Sequence, residues 1–451
     1  MDRSVIIVGG GPAGIVTALT AKSVHPDKSV CLIKSIGDGV IPCAIPYMIH
    51  TLSDPKQNSM GNAPLDKAGV EVITSKVVSI SDGEAATVVL ESGEQLTCER
   101  LVLATGSQPT FPPIPGLDKQ GVFSIRKSLS SMVALREEAQ KAKQVVILGG
   151  GFIGAEFADE LVKKPGTVVQ IVEMLPKLLA GAFDDDFCDE ITAGLVEAGV
   201  KVHTGTRATA IEGNERVEAV VLDNGQRLPA DLVILGVGGK PNSQLAKEAG
   251  LRVTDGGSVW VDSYMRTTDP RIFAVGDCAL KRDFFTRKEV PVWLASTATA
   301  EARTAGTNLY GIRVLRKIQG TVSAFSTRIG NRSFASTGMT RKACESEYFR
   351  IVVGEAEAPD RHPGTLPGAA KIRVKLVFAN RGGTLLGGQM SGGPSVGELI
   401  NSVAIAIQMG LNVRSLDTMQ IATHPLLSSA PTVHPLINAA HHALAQLRAS
   451  G

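Results

Sequence analysis

The sequence predicts an α/β chain: two doubly wound parallel-sheet units, with an α+β region of a different kind after them. Three observations carry this. A buried strand, a glycine-rich turn and a helix open the chain. The same succession returns about 140 residues later. From about residue 323 the pattern changes to alternating stretches and a long apolar helix.

Residues 4–9 form a continuous apolar run, the signature of a strand covered on both faces. Gly9-Gly10-Gly11-Pro12-Ala13-Gly14 follows, and Ile15 to Ala21 supplies a helix. Val30 to Ile33 is the next strand. Leu101 to Ser107 reads as a strand entering a small-residue turn, Ala104-Thr105-Gly106. Pro109, Pro112, Pro113 and Pro115 mark a linker near 107–118. Val145 to Leu148 then repeats the first strand. Gly149-Gly150-Gly151-Phe152-Ile153-Gly154 repeats the turn, with a helix to about Leu161. Val168 to Val172 ends at Glu173. The strand Leu232 to Leu235 leads into Gly236-Val237-Gly238-Gly239-Lys240-Pro241. The last third carries an alternating strand over Lys371 to Phe378 and an apolar helix from about Val396 to Met409.

Composition narrows the function. The chain has 451 residues, 43% hydrophobic content, 48 glycines and a net charge of +2. These values fit a soluble protein of two to four domains, with no basic patch for nucleic acid. The first strand begins at Val5, which leaves no room for a signal peptide, and glycine or charge interrupts every run that could span a membrane. The six cysteines are scattered, without metal-ligand spacing, and a reducing cytoplasm is the expected compartment.

A glycine turn between strand and helix lets the backbone approach a pyrophosphate, and the helix start offers unpaired N–H groups. Gly9, Gly11 and Gly14 have this role in the first unit; Gly149, Gly151 and Gly154 have it in the second. Both units are therefore Rossmann-like dinucleotide sites. Glu173 stands where a carboxylate accepts the ribose hydroxyls and repels a 2′-phosphate, which favours NADH over NADPH. Lys34 holds the equivalent place in the first unit, where an acid is usual. Asp38 is a candidate substitute.

Together these segments resemble the FAD-dependent pyridine nucleotide-disulfide oxidoreductases along nearly the whole chain. The resemblance implies an FAD domain over 1–112 and 246–322, an NAD domain over 113–245 and a dimerisation domain over 323–451. Gly9, Gly11, Pro12, Ala13, Gly14, Lys34 and Ala104-Thr105-Gly106 would lie along the FAD. Phe273-Ala274-Val275-Gly276-Asp277 resembles the second FAD motif, with Asp277 on the ribityl chain and Ala298 at the helix start facing the flavin ring. Gly238 joins the second fingerprint and Glu173 in the cofactor set, and Phe152 matches the aromatic gate over the flavin. Glu156 is placed near the nicotinamide.

Cys43, in Cys43-Ala44-Ile45-Pro46-Tyr47, resembles the single-cysteine branch: coenzyme A-disulfide reductases, NADH oxidases and peroxidases, and persulfide reductases. With no second cysteine close by, it would cycle through a mixed disulfide, persulfide or sulfenic acid. A following helix N-terminus is expected to favour its thiolate. Pro12 stands where the oxidases and peroxidases place a histidine. Thr365 or Leu366, and Thr423, stand where the coenzyme A-disulfide reductases place tyrosines. His424-Pro425 resembles the segment in which a partner-subunit histidine is the general acid, with Ser429 in place of its orienting Glu. The expected activity is NADH-dependent reduction of a small disulfide, persulfide or polysulfide by a homodimer whose active site the second subunit completes. An oxidase acting on O₂, and a redox sensor or electron-transfer flavoprotein, are the alternatives.

Overall fold

A computed structural model describes residues 3–81, 85–314 and 318–449; the outermost residues of the expected first and last segments lie outside these. The chain gathers into two compact units. One comprises Met1–Pro113, Val122–Ala142 and Val237–Thr321. The other comprises Ile114–Gly121, Lys143–Gly236 and Val322–Gly451.

In the first unit, Arg3–Val8 lies between Val30–Lys34 and Gln95–Leu103, all parallel, with Val8 opposite both Ile33 and Leu103. Glu71–Thr74 extends one side and Ile272–Ala274 the other. Val5, Ile6 and Ile7 are fully buried, as an apolar run in a two-sided sheet requires. The N-terminal half of Gln95–Leu103 turns the sheet antiparallel, pairing with Ala86–Leu90, which pairs with Val77–Ser81. The helix Pro12–Val24 starts with proline in its first turn, where no N–H is needed, and packs along the helix Ala295–Asn308. The proline-rich linker is partly ordered: Ser107–Pro109 pairs with Gly239–Pro241.

In the second unit, Lys201–Thr204, Val168–Glu173, Gln144–Leu148 and Leu232–Leu235 are parallel in that order. Ala208–Glu212, Ala219–Leu222 and Arg227–Pro229 form a small antiparallel sheet. The C-terminal part is a five-stranded antiparallel sheet in the order Phe325–Ile329, Arg332–Gly338, Leu385–Gly392, Lys371–Ala379, Ile351–Pro359. The helix Val396–Gln408 covers its middle and Pro435–Ala449 its far edge. Among the described residues, no helix is long and apolar enough to cross a membrane.

Candidate functional site

The two glycine turns are built alike. Gly9 has φ +127° and Gly149 φ +108°, conformations that side chains rarely adopt. A Cβ on Gly14 would lie 1.8 Å from the Gly9 carbonyl, and one on Gly154 1.9 Å from that of Gly149, so each helix packs directly on its turn. Gly11 and Gly151 instead meet nothing within 4 Å and cap their helices without a side-chain hydrogen bond. Each therefore leaves a smooth surface and uncapped helix N–H groups, the features a pyrophosphate requires.

The first turn is enclosed by small residues. A Cβ on Gly9 would strike the Ala104 carbonyl at 2.0 Å, and one on Gly276 would meet Ala13 at 2.8 Å and Ala298 at 3.8 Å. The fingerprint, the Ala104–Gly106 turn, the Gly276–Asp277 turn and the start of Ala295–Asn308 thus converge. Asn242 fixes the Thr105 turn: its N–H donates to the Gly106 carbonyl, and Thr105 Oγ1 donates to its carbonyl. The Asp277 carboxylate accepts from Ser107 Oγ at 2.8 Å and Lys127 Nζ at 3.1 Å. Beneath it, Glu301 accepts from the Gly276 N–H at 3.0 Å and pairs with Lys281 at 2.9 Å, both side chains buried. Burial raises the Glu301 carboxyl above the usual range. An open glycine, a helix N-terminus and an aspartate are thus brought into one place, the donor and acceptor set that a dinucleotide's pyrophosphate and polyol chain would call on.

Lys34 and Glu173 prove spatially equivalent: each faces the second glycine of its turn, its Cβ 2.7 Å and 2.8 Å respectively from where a Cβ of Gly10 or Gly150 would stand. Lys34 is buried and donates to Asn62 Oδ1 at 2.8 Å. Asp38 is committed elsewhere. Its Oδ2 accepts from Ser130 N at 2.9 Å, at the start of the helix Leu129–Lys141, and this bond holds its carboxyl below the usual range. Glu173 accepts from the N–H of Gly150 at 2.6 Å and of Leu175 at 2.7 Å, so it braces the turn. Gly238 has φ +86°, and its carbonyl accepts from Thr110 N. Ile153 is exposed.

Phe152 rests edge-to-face on Phe325, centroids 4.6 Å apart, with Phe183 at 6.3 Å. Its ring is packed in an aromatic cluster, and swinging it aside requires breaking those contacts. Glu156 accepts from Thr327 Oγ1 at 2.7 Å; burial pushes its carboxyl up to about 7, and Asp159 and Glu160 add to the shift.

Cys43 lies on the 3₁₀ turn Pro42–Ala44 and is exposed. The other five cysteines are buried. Burial pushes the thiols of Cys31, Cys98 and Cys188 up to about 12. The expected helix after Cys43 is instead a second three-residue 3₁₀ turn, Pro46–Met48. Pro46 has no N–H to donate to the Pro42 carbonyl, so a helix begun at Pro42 cannot run on through it, and no long helix starts directly behind the thiol. Two residues that the motifs did not single out hold this segment. Asn58, buried, exchanges hydrogen bonds with the backbone of Ile41 and donates to Met48 Sδ. The Arg136 guanidinium donates to the carbonyls of Met48, Leu52 and Ser53 at 3.0, 2.8 and 3.1 Å.

His424 is exposed, and its Nδ1 accepts from Leu426 N at 3.2 Å. Ser429 does not orient it; its Oγ donates to the Pro359 carbonyl.

Residues 3–302 match the family described as pyridine nucleotide-disulphide oxidoreductase, and residues 326–434 match that family's dimerisation domain. The chain belongs to this family, and it is an FAD- and NADH-dependent oxidoreductase. The C-terminal match supports a homodimer. Among its relatives, an NADH oxidase of Methanocaldococcus jannaschii is 32% identical, over 98% of this chain and 99% of that protein. An NAD(P)H coenzyme A polysulfide/persulfide reductase of Pyrococcus horikoshii is 31% identical over 97% of each. Among solved structures, the NAD-dependent persulfide reductase of A. fulgidus superposes with a TM-score of 0.90 at 27% identity, covering 99% of this chain and 84% of that one. A water-forming NADH oxidase of Lactobacillus brevis, bound to NADH, gives 0.89 at 27%, covering 100% of both.

Proposed function

We propose that the protein reduces a low-molecular-weight disulfide, persulfide or polysulfide with NADH, through Cys43. The supporting observation is an exposed thiol, on a turn braced by Asn58 and Arg136, in the same unit as the flavin fingerprint. Gly9, Gly11, Gly14 and the Asp277 turn would hold FAD; Gly149, Gly151, Gly154 and Glu173 would hold NADH. Bound FAD supplies the two-electron relay between nicotinamide and sulfur. The Cys43 thiolate attacks one sulfur of the substrate, forms Cys43–S–S–R and releases the other half as a thiolate. Reductive opening of that adduct returns Cys43, so that NADH, a proton and R–S–S–R′ give NAD⁺, R–SH and R′–SH. The second subunit, through its 422–429 segment, completes the site where the leaving thiolate acquires its proton.

Reduction of O₂ is the second reading, favoured by the relatives named NADH oxidase. Against it, Pro12 begins the first helix and offers no proton. Cys43→Ser should retain FAD and NADH-driven bleaching of the flavin but produce no thiol. Unchanged thiol production in that variant would reject the proposal, and an NADH-dependent oxygen uptake exceeding disulfide turnover in the unmodified enzyme would favour the oxidase.

A further inference from the structure

We infer that Lys34 and Asn62 form a donor clamp on the adenine-side ribose of FAD, and that this clamp makes the first fingerprint favour a 2′-phosphorylated adenosine, the reverse of what a carboxylate does there. This rests on the reading that the first glycine turn holds FAD. In a doubly wound unit the side chain ending the second strand is the one that meets that ribose. Lys34 ends the strand Val30–Lys34 as Glu173 ends Val168–Glu173. Its carbonyl accepts from Ser75 N at 3.0 Å, which fixes its backbone. Its stem lies along the turn: a Cβ on Gly10 would stand 2.7 Å from Lys34 Cβ and 3.1 Å from its Cδ. With 8% of its surface exposed, Lys34 is a wall of the fingerprint and not a solvated surface lysine.

An ammonium can only donate, so Asn62 must turn its amide oxygen to Lys34 Nζ, 2.8 Å away. The amide nitrogen then points away from the ammonium, and it too can only donate. Among the described residues Nζ has no second acceptor and no carboxylate at ion-pair distance. The carboxylates nearby are taken. Asp38 accepts from Ser130 N at 2.9 Å, and Glu71, on the neighbouring strand, pairs with Arg3 at 2.8 Å. A charge this buried with a single neutral partner is unfavourable, and a ligand that brings acceptor oxygens relieves it.

Glu173, at the same place in the second turn, presents only acceptors. A ribose hydroxyl both donates and accepts, so it satisfies either residue. A phosphate on the ribose is anionic and only accepts. A carboxylate repels it, whereas an ammonium beside an amide N–H binds it through charge-assisted hydrogen bonds. The two turns share one backbone geometry but sort adenine nucleotides in opposite senses. The first holds the FAD ribose by donation, without the usual acid, and the ligand class that competes with FAD there is an adenosine carrying a 2′-phosphate.

The test is the FAD equilibrium of the full-length dimer, read as free flavin fluorescence, with adenosine 2′,5′-bisphosphate or AMP as the competitor. The bisphosphate should displace FAD at a concentration about tenfold lower than AMP does, the gain expected of one charge-assisted hydrogen bond. Lys34→Met keeps the stem over Gly10 and loses the donors; it should weaken FAD binding about tenfold and erase the preference. Lys34→Glu should bind FAD within about threefold of the unaltered protein, because hydroxyls can donate as well as accept, and should prefer AMP. Asn62→Asp gives the ammonium a carboxylate and should erase the preference without lowering the thermal midpoint. A bisphosphate that displaces FAD from the unaltered protein no better than AMP overturns the inference with no variant needed, and so does a preference that Lys34→Met retains. A purified protein that carries no FAD overturns instead the reading on which the inference rests.

Discussion

Glu173 is fixed by its own turn: its oxygens accept from the N–H groups of Gly150 and Leu175, beside the glycines proposed to hold NADH. Glu173→Ala should therefore raise KM for NADH and, by removing a charge that repels a 2′-phosphate, raise the NADPH-to-NADH ratio of kcat/KM at least about tenfold; steady-state kinetics with both nucleotides would check this. Glu156 makes a second residue-scale case. Its carboxyl titrates near 7 in the folded chain against about 4.5 as an isolated side chain, because burial disfavours the charge. The native state thus holds a proton that the unfolded chain has lost. The contribution is fully present below about pH 4.5 and is lost as pH rises through 7. Glu156→Gln, which can still accept from Thr327, should raise the stability by about 1–3 kcal/mol at pH 8 and leave it nearly unchanged at pH 5, as read from thermal unfolding at the two pH values. The chain order announced both carboxylates, but only the fold shows that one binds its own turn and the carboxyl of the other is pushed up to about 7 by burial.

At the scale of elements, the segment carrying Cys43 has little regular structure of its own and depends on the helix Leu129–Lys141 for its shape. Asp38 and Gly39, ahead of the cysteine, pair with residues 128–130 at the start of that helix; Arg136, two turns along, collects three carbonyls behind it. A guanidinium with three acceptors fixes a loop better than an ammonium could. Arg136→Met should leave FAD content intact, cost about 2–3 kcal/mol through stranded carbonyls, and cut Cys43-dependent turnover. Hydrogen exchange over residues 41–53 should accelerate, and a loss of FAD without faster exchange there would contradict this account. The glycine turns and their strands were legible because each imposes a local rule, an apolar run, a positive φ or a small residue at a close approach, whereas Cys43 stood out only through the motif it resembles. Asn58 and Arg136 were not legible, because side chains that reach backbone carbonyls 17 and 83–88 positions away leave no local pattern. The helix expected after Cys43 is absent for a readable reason: Pro46 lacks the N–H that a helix begun at Pro42 would need.

At the scale of the whole molecule, the second nucleotide-binding sheet and the C-terminal sheet share one compact unit, and a buried polar network joins them. Asp184 and Gln389 bond reciprocally: the Asp184 N–H donates to Gln389 Oε1, and Gln389 Nε2 donates to Asp184 Oδ2, both at 2.7 Å. Around them Lys375 pairs with Asp186 at 2.7 Å and Arg373 with Glu190 at 2.7 Å, while Asp184 also accepts from the N–H groups of Arg341 and Lys342. The change in sequence character near residue 323 reveals a new kind of sheet but not this attachment, since the partners lie 205 positions apart and nothing local couples them. The network also decides how the chain should fail. Gln389→Leu fills the space but strands the buried Asp184 N–H and takes one donor from its carboxylate, which keeps the N–H groups of Arg341 and Lys342, a loss of about 1–3 kcal/mol. Because the pair links the helix Asp185–Glu197 to the strand Leu385–Gly392, the loss should appear as one cooperative transition for this unit at lower denaturant, with its slope preserved. A variant in which the C-terminal sheet melts separately, leaving the nucleotide sheet at its original midpoint, would show that the two sheets are independent and the network incidental.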